Sequence, residues 1–269
     1  MSRPDDGYQM LAQRVRRLTG LDLRHYRQQQ LQRRLKAYLD RHGLPDYGSL
    51  ARRITNDSQA LRDFMDYLTI NVTEFFRDGR PFDMLVRDVL PSLLAEFRRL
   101  KVWSAGCASG AETYSLAILL EELDPGGGHQ VLGTDVDGTI LKLAQEGVYD
   151  EHALRGVSPE RRRKFFEEVA PGMWRVLPEL RRKVRFVRHD LLADPYPEEQ
   201  HLILCRNVVI YFTEEAKSRV HRQLAESLVP GGYLLVGATE TLLMPGPLGL
   251  EIAGPFLYRR TAPQPAAVE

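Results

Sequence analysis

The stretch KVWSAGCASGAETYSLAILLE holds the residues whose types and spacing point most directly to ligand chemistry. Residues 101–105 are predicted to form a buried strand, 106–110 a loop of small residues, and 111–121 a helix. This order places backbone N–H groups and the positive end of a helix dipole at the carboxyl edge of a parallel sheet. A ligand with a carboxylate or a phosphate can approach there without obstruction by side chains.

The loop sequence GCASGA narrows the kind of ligand. It contains Gly106 and Gly110 but no G-x-G-x-x-G pattern and no phosphate-binding lysine, so a pyrophosphate is disfavoured. The next predicted strand ends at Asp135, where an acidic residue can bind ribose hydroxyls. An adenosine without phosphates fits both features, and S-adenosylmethionine (SAM) is the commonest such cofactor. The pattern therefore favours a SAM-dependent methyltransferase.

Two acidic residues of this region also have a structural explanation. Glu112 can complete a capping box with Ser109 at the start of the helix, which requires no cofactor. Asp137 directly precedes the next helical run and is the better placed cap of that helix. We therefore expect Asp135 to be free for a ligand.

The segment CRNVVIYF ends another predicted strand with polar residues. Arg206 and Asn207 interrupt an apolar run, and burying them without partners would be costly. Tyr211, between two apolar residues, is by itself best explained as a core residue. Cys107 and Cys205 end strands that are predicted to be neighbours, and we expect two unpaired thiols.

Polar residues and phenylalanines also alternate in NVTEFFR, where a helical block gives way to a linker. The residues concerned are Asn71, Thr73, Phe75, Phe76 and Arg77. From these residues alone, the favoured interpretation is structural. Asn71 or Thr73 would cap a helix that begins at Glu74, Arg77 would be solvated, and the phenylalanines would join two domains.

The elements that must position these residues divide into two classes. Residues 8–70 are predicted to be entirely helical, with apolar stripes at Leu11, Val15 and Leu18, at Leu31, Leu35 and Leu39, and at Leu61, Phe64, Met65 and Leu68. Residues 79–98 are predicted to form a connecting helix, and strands and helices alternate after it. The pattern predicts a small all-α domain followed by an α/β domain.

The helix predicted around residues 27–41 carries a row of arginines. Arg27, Arg34 and Arg41 lie seven residues apart and therefore line one edge of the helix, beside its leucine stripe. Such an edge can grip an acidic helix. A solvated helix face explains the same pattern.

Residues 148–182 interrupt the alternation and are predicted to be an insertion. SPERRRKFFEEV is predicted to be a short basic helix and MWRVLP a single strand. The arginines here are most simply a solvated face, and the lack of interleaved aromatic platforms argues against nucleic acid.

The rest of the chain predicts five parallel strands and a closing antiparallel pair around residues 253–255. This is the seven-stranded, Rossmann-like arrangement of SAM-dependent methyltransferases. We predict a helical domain at 1–72, a linker at 73–100, a SAM-binding domain at 101–262 and a disordered tail at 263–269.

The composition excludes several classes of protein. The chain has 269 residues, 43% of them hydrophobic, which suffices for a buried core in one or two domains. The two cysteines provide no disulfide framework, and the seven histidines form no H-x-x-x-H pair, so no metal site is expected. No apolar run is long enough to span a bilayer, and no leader is evident. We expect a cytoplasmic protein that is not membrane-inserted.

Four motifs together resemble one family. NVTEFFR, WSAGCASGAETYS, TDVD and CRNVVIYF follow the helical block in this order, and the sequence thereby resembles the chemotaxis-receptor glutamate methyltransferases, the CheR family, from about Gly20 to Arg260. The resemblance implies methyl transfer from SAM to glutamate side chains in the cytoplasmic helices of chemoreceptors, leaving S-adenosyl-L-homocysteine. It also implies that the helical domain recognises the receptor. We expect a monomer, although the sequence leaves the oligomeric state open.

The resemblance also implies roles for individual residues. Asn71, Thr73 and Arg77 resemble cofactor contacts from the linker, Glu112 the residue that meets the methionine part, and Asp135 the ribose ligand. Asp190 and Leu191 occupy the adenine side, and Arg206 and Asn207 match the pocket motif. Tyr211 resembles the tyrosine that, with the arginine matched by Arg77, lies near the transferred methyl group. Arg27, Arg34 and Arg41 would contact acidic receptor helices.

The chain departs from the family pattern at two places. GAETYS replaces GEEPYS, so Ala111 and Thr113 stand where Glu and Pro are usual, while Glu112 is kept. The insertion between Phe165 and Val176 is shorter than in relatives that bind a carboxy-terminal receptor pentapeptide. The chain therefore resembles the pentapeptide-independent kind.

The implied chemistry needs positioning more than proton transfer. The sulfonium already activates the methyl group, and a glutamate carboxylate is ionised at neutral pH, so no general base is required. Arg77 is expected to orient the carboxylate and Tyr211 to shape the methyl channel. The alternative function is a SAM-binding or S-adenosylhomocysteine-binding signalling scaffold or sensor with little turnover.

Overall fold

The computed structural model describes residues 4–69 and 73–262. Asn71 and the tail predicted to be disordered lie outside these residues. Contacts divide the chain into two compact units. One comprises the chain up to residue 71 together with residues 210–218, and the other comprises residues 72–209 and 219–269.

The first unit contains the predicted amino-terminal helices. They are α1 (Pro4–Thr19), α2 (Gln28–Arg41), α3 (Tyr47–Asn56) and α4 (Ser58–Thr69). The predicted stripes of α2 and α4 face the core, where Leu35 and Phe64 are fully buried. Leu18, predicted to continue the stripe of α1, is instead 40% exposed because it lies in the last turn of that helix.

Residues 210–218 pack with these helices, although the sequence placed them in the α/β domain. Tyr26 pairs with Phe212 through a backbone bridge, and their rings meet edge to face at 5.3 Å. The Arg27 N–H donates a hydrogen bond to the Tyr211 carbonyl at 2.9 Å. Tyr211 therefore lies in the unit of the amino-terminal helices, in a 3₁₀ turn that precedes helix α11 (Glu214–Ser227).

The segment that enters the second unit is turned rather than helical at its start. The alternative of a helix beginning at Glu74 is wrong, because residues 75–78 form turns in which Phe76 and Asp78 have φ of +52° and +68°. Phe75 is fully buried within this unit, with its ring 4.9 Å from that of Tyr149 and 5.1 Å from that of Phe166.

The predicted connecting helix exists in three parts. Helix α5 (Arg80–Met84) leads into a π turn (Leu85–Val89) and then into α6 (Leu90–Glu96). The π turn ends two residues before Pro91, which has no N–H to donate and whose ring crowds the preceding turn.

The second unit is organised around the predicted seven-stranded sheet. Its strands are β1 (Lys101–Ala105), β2 (Gln130–Asp135), β6 (Val184–Arg188), β7 (Gln200–Cys205), β8 (Leu228–Val236), β9 (Leu250–Gly254) and β10 (Leu257–Arg260). They lie in the order β6-β2-β1-β7-β8-β10-β9, in which β10 pairs antiparallel with both β8 and β9 and the other pairings are parallel. The chain order reverses between β1 and β7, and the crevice at such a point is where α/β sheets bind ligands.

Helix α7 (Ala111–Leu123) follows β1, and helix α8 (Gly138–Glu146) follows β2. The apolar side chains of α7 are buried almost all round because the helix lies between the sheet and other elements of this unit. The carboxyl ends of β1 and β2 are thereby held against the amino-terminal ends of two helices.

The insertion contains more strand than the sequence predicted. It comprises β3 (Val148–Asp150), α9 (Pro159–Phe165), β4 (Phe166–Ala170), β5 (Met173–Val176) and α10 (Pro178–Arg181). The helix predicted to run through FFEEV ends at Phe165, because the following residues pair with β5, which also pairs with β3. The arginines of α9 are not simply solvated, since Arg161 forms a bidentate pair with Glu122 at 2.8–3.2 Å.

Candidate cofactor and transfer site

The loop between β1 and α7 lies across the end of β2. The N–H groups of Gly106 and Cys107 both donate to the Thr134 carbonyl at 2.8 Å. Gly106 has φ +76°, and a Cβ there would lie 2.4 Å from a methyl carbon of Val208. Glycine is therefore required at this position both for its backbone angle and for the close approach of the two loops.

The sequence suggested that Asp135 would be free for a ligand. In the structure Asp135 is buried at the end of β2, and both of its carboxylate oxygens already accept backbone hydrogen bonds. Its Oδ2 accepts from the Ala108 N–H at 2.9 Å, and its Oδ1 accepts from the Asp137 N–H at 3.0 Å. Each oxygen can still accept one further donor. Burial raises the pKa of the Asp135 carboxyl, and the two amide hydrogen bonds oppose that shift.

Asp137 caps α8, as predicted, by accepting from the Thr139 and Ile140 N–H groups. The capping-box explanation of Glu112 is wrong, because the cap residue of α7 is Gly110 and no side chain caps that helix. Glu112 turns back toward the strand ends instead. Its Oε1 accepts from the Ser104 hydroxyl at 2.8 Å, and its Oε2 accepts from Arg206 Nη1 at 3.2 Å.

Arg206 connects four segments of the unit. Besides Glu112, its guanidinium donates through Nη2 to Asp78 Oδ2 at 2.7 Å and to the Arg77 carbonyl at 3.4 Å, and it lies 5.8 Å from the ring of Phe82. Only 4% of its side chain is exposed. The buried Nε has no hydrogen-bond partner among the described residues. Burial of this polar residue is thus compensated by pairing, with one donor left over.

The turn after β7 depends on a residue that sequence reasoning missed. Asn207 has φ +60°, and its N–H and that of Val208 donate to the two oxygens of Glu240 at 2.6 and 2.8 Å. Glu240 is fully buried and also accepts from the Gly237 N–H at 2.9 Å. The sequence signal that could have indicated Glu240 is an acidic residue four positions after the apolar run YLLV at 233–236. Asp78 was missed as well.

Asp190 and Leu191 follow β6 at the same edge of the sheet. Asp190 Oδ1 accepts from the Leu192 N–H, and the Asp190 N–H donates to Asp194, each at 2.8 Å. These bonds form a tight turn in which both Asp190 and Leu191 are buried. One side of this edge is therefore acidic and apolar.

The linker residues and Tyr211 complete the predicted set. Thr73 and Arg77 are half-buried, and the Arg77 carbonyl is bound by Arg206. The structure thus brings Arg77, Glu112 and Arg206 together directly, and places Asp135, Asp190 and Asn207 at the ends of β2, β6 and β7. Asn71 lies outside the described residues, and Tyr211 belongs to the other unit.

Two family models match the chain, one over the amino-terminal helices and one over most of the rest. The model described as "CheR methyltransferase, SAM binding domain" matches residues 71–248, and the one described as "CheR methyltransferase, all-alpha domain" matches residues 6–69. The chain belongs to the CheR methyltransferase family.

Relatives of this family align over most of the chain. A "Chemotaxis protein methyltransferase" of Listeria innocua is 39% identical over 92% of this chain and 94% of its own length. "Chemotaxis protein methyltransferase 1" of Pseudomonas aeruginosa is 35% identical over 90% of this chain and 92% of its own length. Among solved structures, a TehB-like SAM-dependent methyltransferase from Corynebacterium glutamicum is 17% identical, covering 67% of this chain and 92% of its own, with a TM-score of 0.38.

The chain's own residues fit the cofactor of the CheR family. The Asp135 carboxylate retains acceptor capacity for ribose hydroxyls, and Arg206 holds a buried donor without a partner among the described residues. The Glu112 carboxylate has two partners and can accept a further donor such as the ammonium group of the methionine part.

The row of arginines predicted on α2 is partly used by the fold of this CheR protein. Arg34 donates to the Tyr67 carbonyl and lies 5.0 Å from the ring of Tyr67, and Arg41 lies 5.6 Å from the same ring. Arg27 donates through Nη2 to Glu214 at 2.5 Å. A fully solvated face is therefore wrong for Arg34, whereas Arg27 and Arg41 are exposed.

The two cysteines are free and buried, and burial raises the pKa of both thiols. A cavity of about 480 Å³ is lined by aromatic residues of the entering segment, including Phe75, Phe76 and Phe82, with Arg155 and Arg161. In the described parts of the chain, no helix has the length and apolar character needed to cross a membrane.

Proposed function

We propose that this chain transfers the methyl group of SAM to glutamate side chains of methyl-accepting chemotaxis receptors and so forms methyl esters for sensory adaptation. The observation that carries the proposal is the buried Arg206 guanidinium, which joins the Glu112 carboxylate to the backbone of Arg77. This arrangement fixes the entering segment at the edge of the sheet where Asp135 and Asp190 also lie.

SAM, when bound, supplies a methyl group that its sulfonium already activates. Glu112, Asp135, Asp190, Leu191, Arg206 and Asn207 would hold it, with Asn71 and Thr73 from the linker. Arg77 would orient the incoming glutamate carboxylate by charge-assisted hydrogen bonds, and Tyr211 would shape the path of the methyl group. Because the carboxylate is ionised at neutral pH, alignment and exclusion of water remain as the work of the protein, and alignment can lower a barrier by roughly 7–11 kcal/mol.

Labelled methyl transfer from SAM to receptor-containing membranes tests this proposal. We expect incorporation into the receptor as a base-labile ester. Binding of S-adenosylhomocysteine without transfer to any receptor would instead support the alternative function, a signalling scaffold or sensor.

Arg77→Ala separates orientation of the substrate from binding of the cofactor. We expect this variant to keep its affinity for S-adenosylhomocysteine within a few-fold while losing most of its turnover. Arg80→Ala, at the exposed first residue of α5, is the matched control and should change neither quantity. Equal loss of affinity and turnover in Arg77→Ala would assign Arg77 to the cofactor.

On the receptor side, we propose that Arg27, Arg34 and Arg41 face acidic receptor helices. Arg41→Glu should raise the KM for receptor without changing cofactor affinity. Arg34→Glu should in addition lower stability, because Arg34 packs on Tyr67.

We further propose that the enzyme acts in the cytoplasm as a monomer and needs no receptor pentapeptide. Removal of the receptor tail should therefore leave the rate of methyl transfer unchanged.

A further inference from the structure

Two large apolar side chains project from the loop that follows β8. Leu243 is 94% exposed and Met244 is 74% exposed, whereas most exposed large apolar residues of the described chain range from 36% to 49%. We call this pair the apolar tip. Exposure of adjacent large apolar side chains is a common mark of an interaction surface.

The base of the apolar tip is fixed. Leu242 is buried, and its N–H donates to the Tyr258 hydroxyl at 3.0 Å. Glu240, three residues before Leu243, accepts from the backbone of Asn207 and Val208. The tip therefore starts from the turn that carries the pocket motif, and three extended residues limit its distance from Glu240 to about 11 Å.

We infer that the apolar tip is a contact surface for the protein substrate, beside the glutamate that receives the methyl group. The inference rests on the proposed function. Strand β8 runs parallel to β7, so the loop that carries the tip leaves the sheet at the same edge as Arg206 and Asn207. A glutamate on a protein can enter a site at that edge only if the surrounding helix surface meets the edge. The substrate surface that fits the tip is an α-helix with an aliphatic residue within one or two turns of the acceptor glutamate. Burial of apolar surface on the tip and on that helix would then stabilise the complex.

The test compares a double variant with a matched control. In Leu243→Ser/Met244→Ser the tip becomes polar, and we expect the KM for a lipid-free cytoplasmic receptor fragment to rise about tenfold. The affinity for S-adenosylhomocysteine and the thermal midpoint should stay at their wild-type values, because neither side chain is buried. Ile252→Ser, which changes a 73% exposed residue on the outermost strand β9, should leave all three quantities unchanged.

An unchanged KM for the fragment in the double variant would overturn the inference. A defect seen only with receptors in vesicles would assign the tip to lipid, and a wild-type dimer lost in the double variant by analytical ultracentrifugation would assign it to a second copy. Both results would overturn the inference too. Failure of the wild-type protein to methylate any receptor would remove the proposed function itself, which distinguishes the two failures.

Discussion

Arg206 Nη1 lies 3.2 Å from Glu112 Oε2 and so ties the end of β7 to the first turn of α7. Both side chains are largely buried, with 4% and 13% exposed. Glu112 also stands near the positive end of the α7 dipole, which favours its negative charge. The pair is thus both a structural connection between two strand ends and a charged group aimed at the proposed cofactor site.

Glu112→Gln should weaken both the fold and the site. The neutral amide leaves Arg206 with Asp78 as its remaining charged partner, so we expect the free energy of unfolding to fall by about 1–3 kcal/mol. Affinity for S-adenosylhomocysteine should fall at least tenfold. Urea denaturation and calorimetry measure the two effects. Ser104→Ala, which removes only the hydroxyl bound to the same carboxylate, is the control and should cost about 1 kcal/mol. A Glu112→Gln protein as stable as wild type would show that the pair contributes nothing.

Gly106→Ala should be more damaging than its backbone angle alone predicts. The new Cβ would lie 2.4 Å from Val208, and the residue has φ +76°. Gly126→Ala is a matched control, since Gly126 has φ +77° and its Cβ would meet nothing within 4 Å. We expect about 1–2 kcal/mol of destabilisation at Gly126 and a further 1–3 kcal/mol at Gly106. Val208→Ala should recover part of the difference in the Gly106→Ala background. Equal effects at both glycines would contradict the proposed clash.

The sheet and the glycine-rich loop were predictable because their signals are local. The small residues between a buried strand and an apolar helix, as in residues 101–121, determine a tight turn whatever surrounds them. The same holds for Asp137, which caps α8 through amides two and three residues away. Features of this kind depend on spacing that can be read directly from the chain.

The misses concern partners distant in sequence. Glu240 binds amides 32 and 33 residues away, and Asp78 pairs with Arg206 across 128 residues. Most of strand β4 was predicted as helix from the pattern of SPERRRKFFEEV. That prediction was wrong because pairing with β5 overrides the local preference of FEEV. Arg34 resembled a solvated residue because nothing near it in sequence indicates that Tyr67 would pack against it.

Cofactor binding should depend on pH because Asp135 titrates, and the transition should lie above the pH at which an ordinary aspartate loses its proton. Burial raises the pKa of its carboxyl in the folded protein, so the group takes up a proton at a higher pH than in the unfolded chain, where the value is about 3.9. The ionised form is the one with full acceptor capacity for ribose hydroxyls. Affinity for S-adenosylhomocysteine should therefore fall on acidification through the raised pKa.

Stability should respond to the same group in the opposite sense. The contribution of protonated Asp135 to the free energy of unfolding is fully present below about pH 3.9 and is lost as pH rises through the raised folded pKa.

The effect of Asp135 on cofactor affinity is measured by calorimetric titration with S-adenosylhomocysteine between pH 8 and pH 4.5. Asp135→Asn is the control that removes this titration. A flat wild-type profile would exclude Asp135 as a titrating ligand group.

Glu240→Gln should disrupt the turn after β7 although no cofactor contact is assigned to residue 240. The side-chain amide places an NH₂ group where one carboxylate oxygen accepts from Val208 or from Asn207 and Gly237, so at least one buried N–H loses its acceptor. Each such loss costs about 1–3 kcal/mol, and we expect the free energy of unfolding to fall by about 2–3 kcal/mol. Because Asn207 is held at φ +60° by this contact, affinity for S-adenosylhomocysteine should fall as well. Glu251→Gln, an exposed change on β9, is the control and should alter neither urea denaturation nor binding. Wild-type stability in Glu240→Gln would mean that the turn holds its conformation without the buried carboxylate.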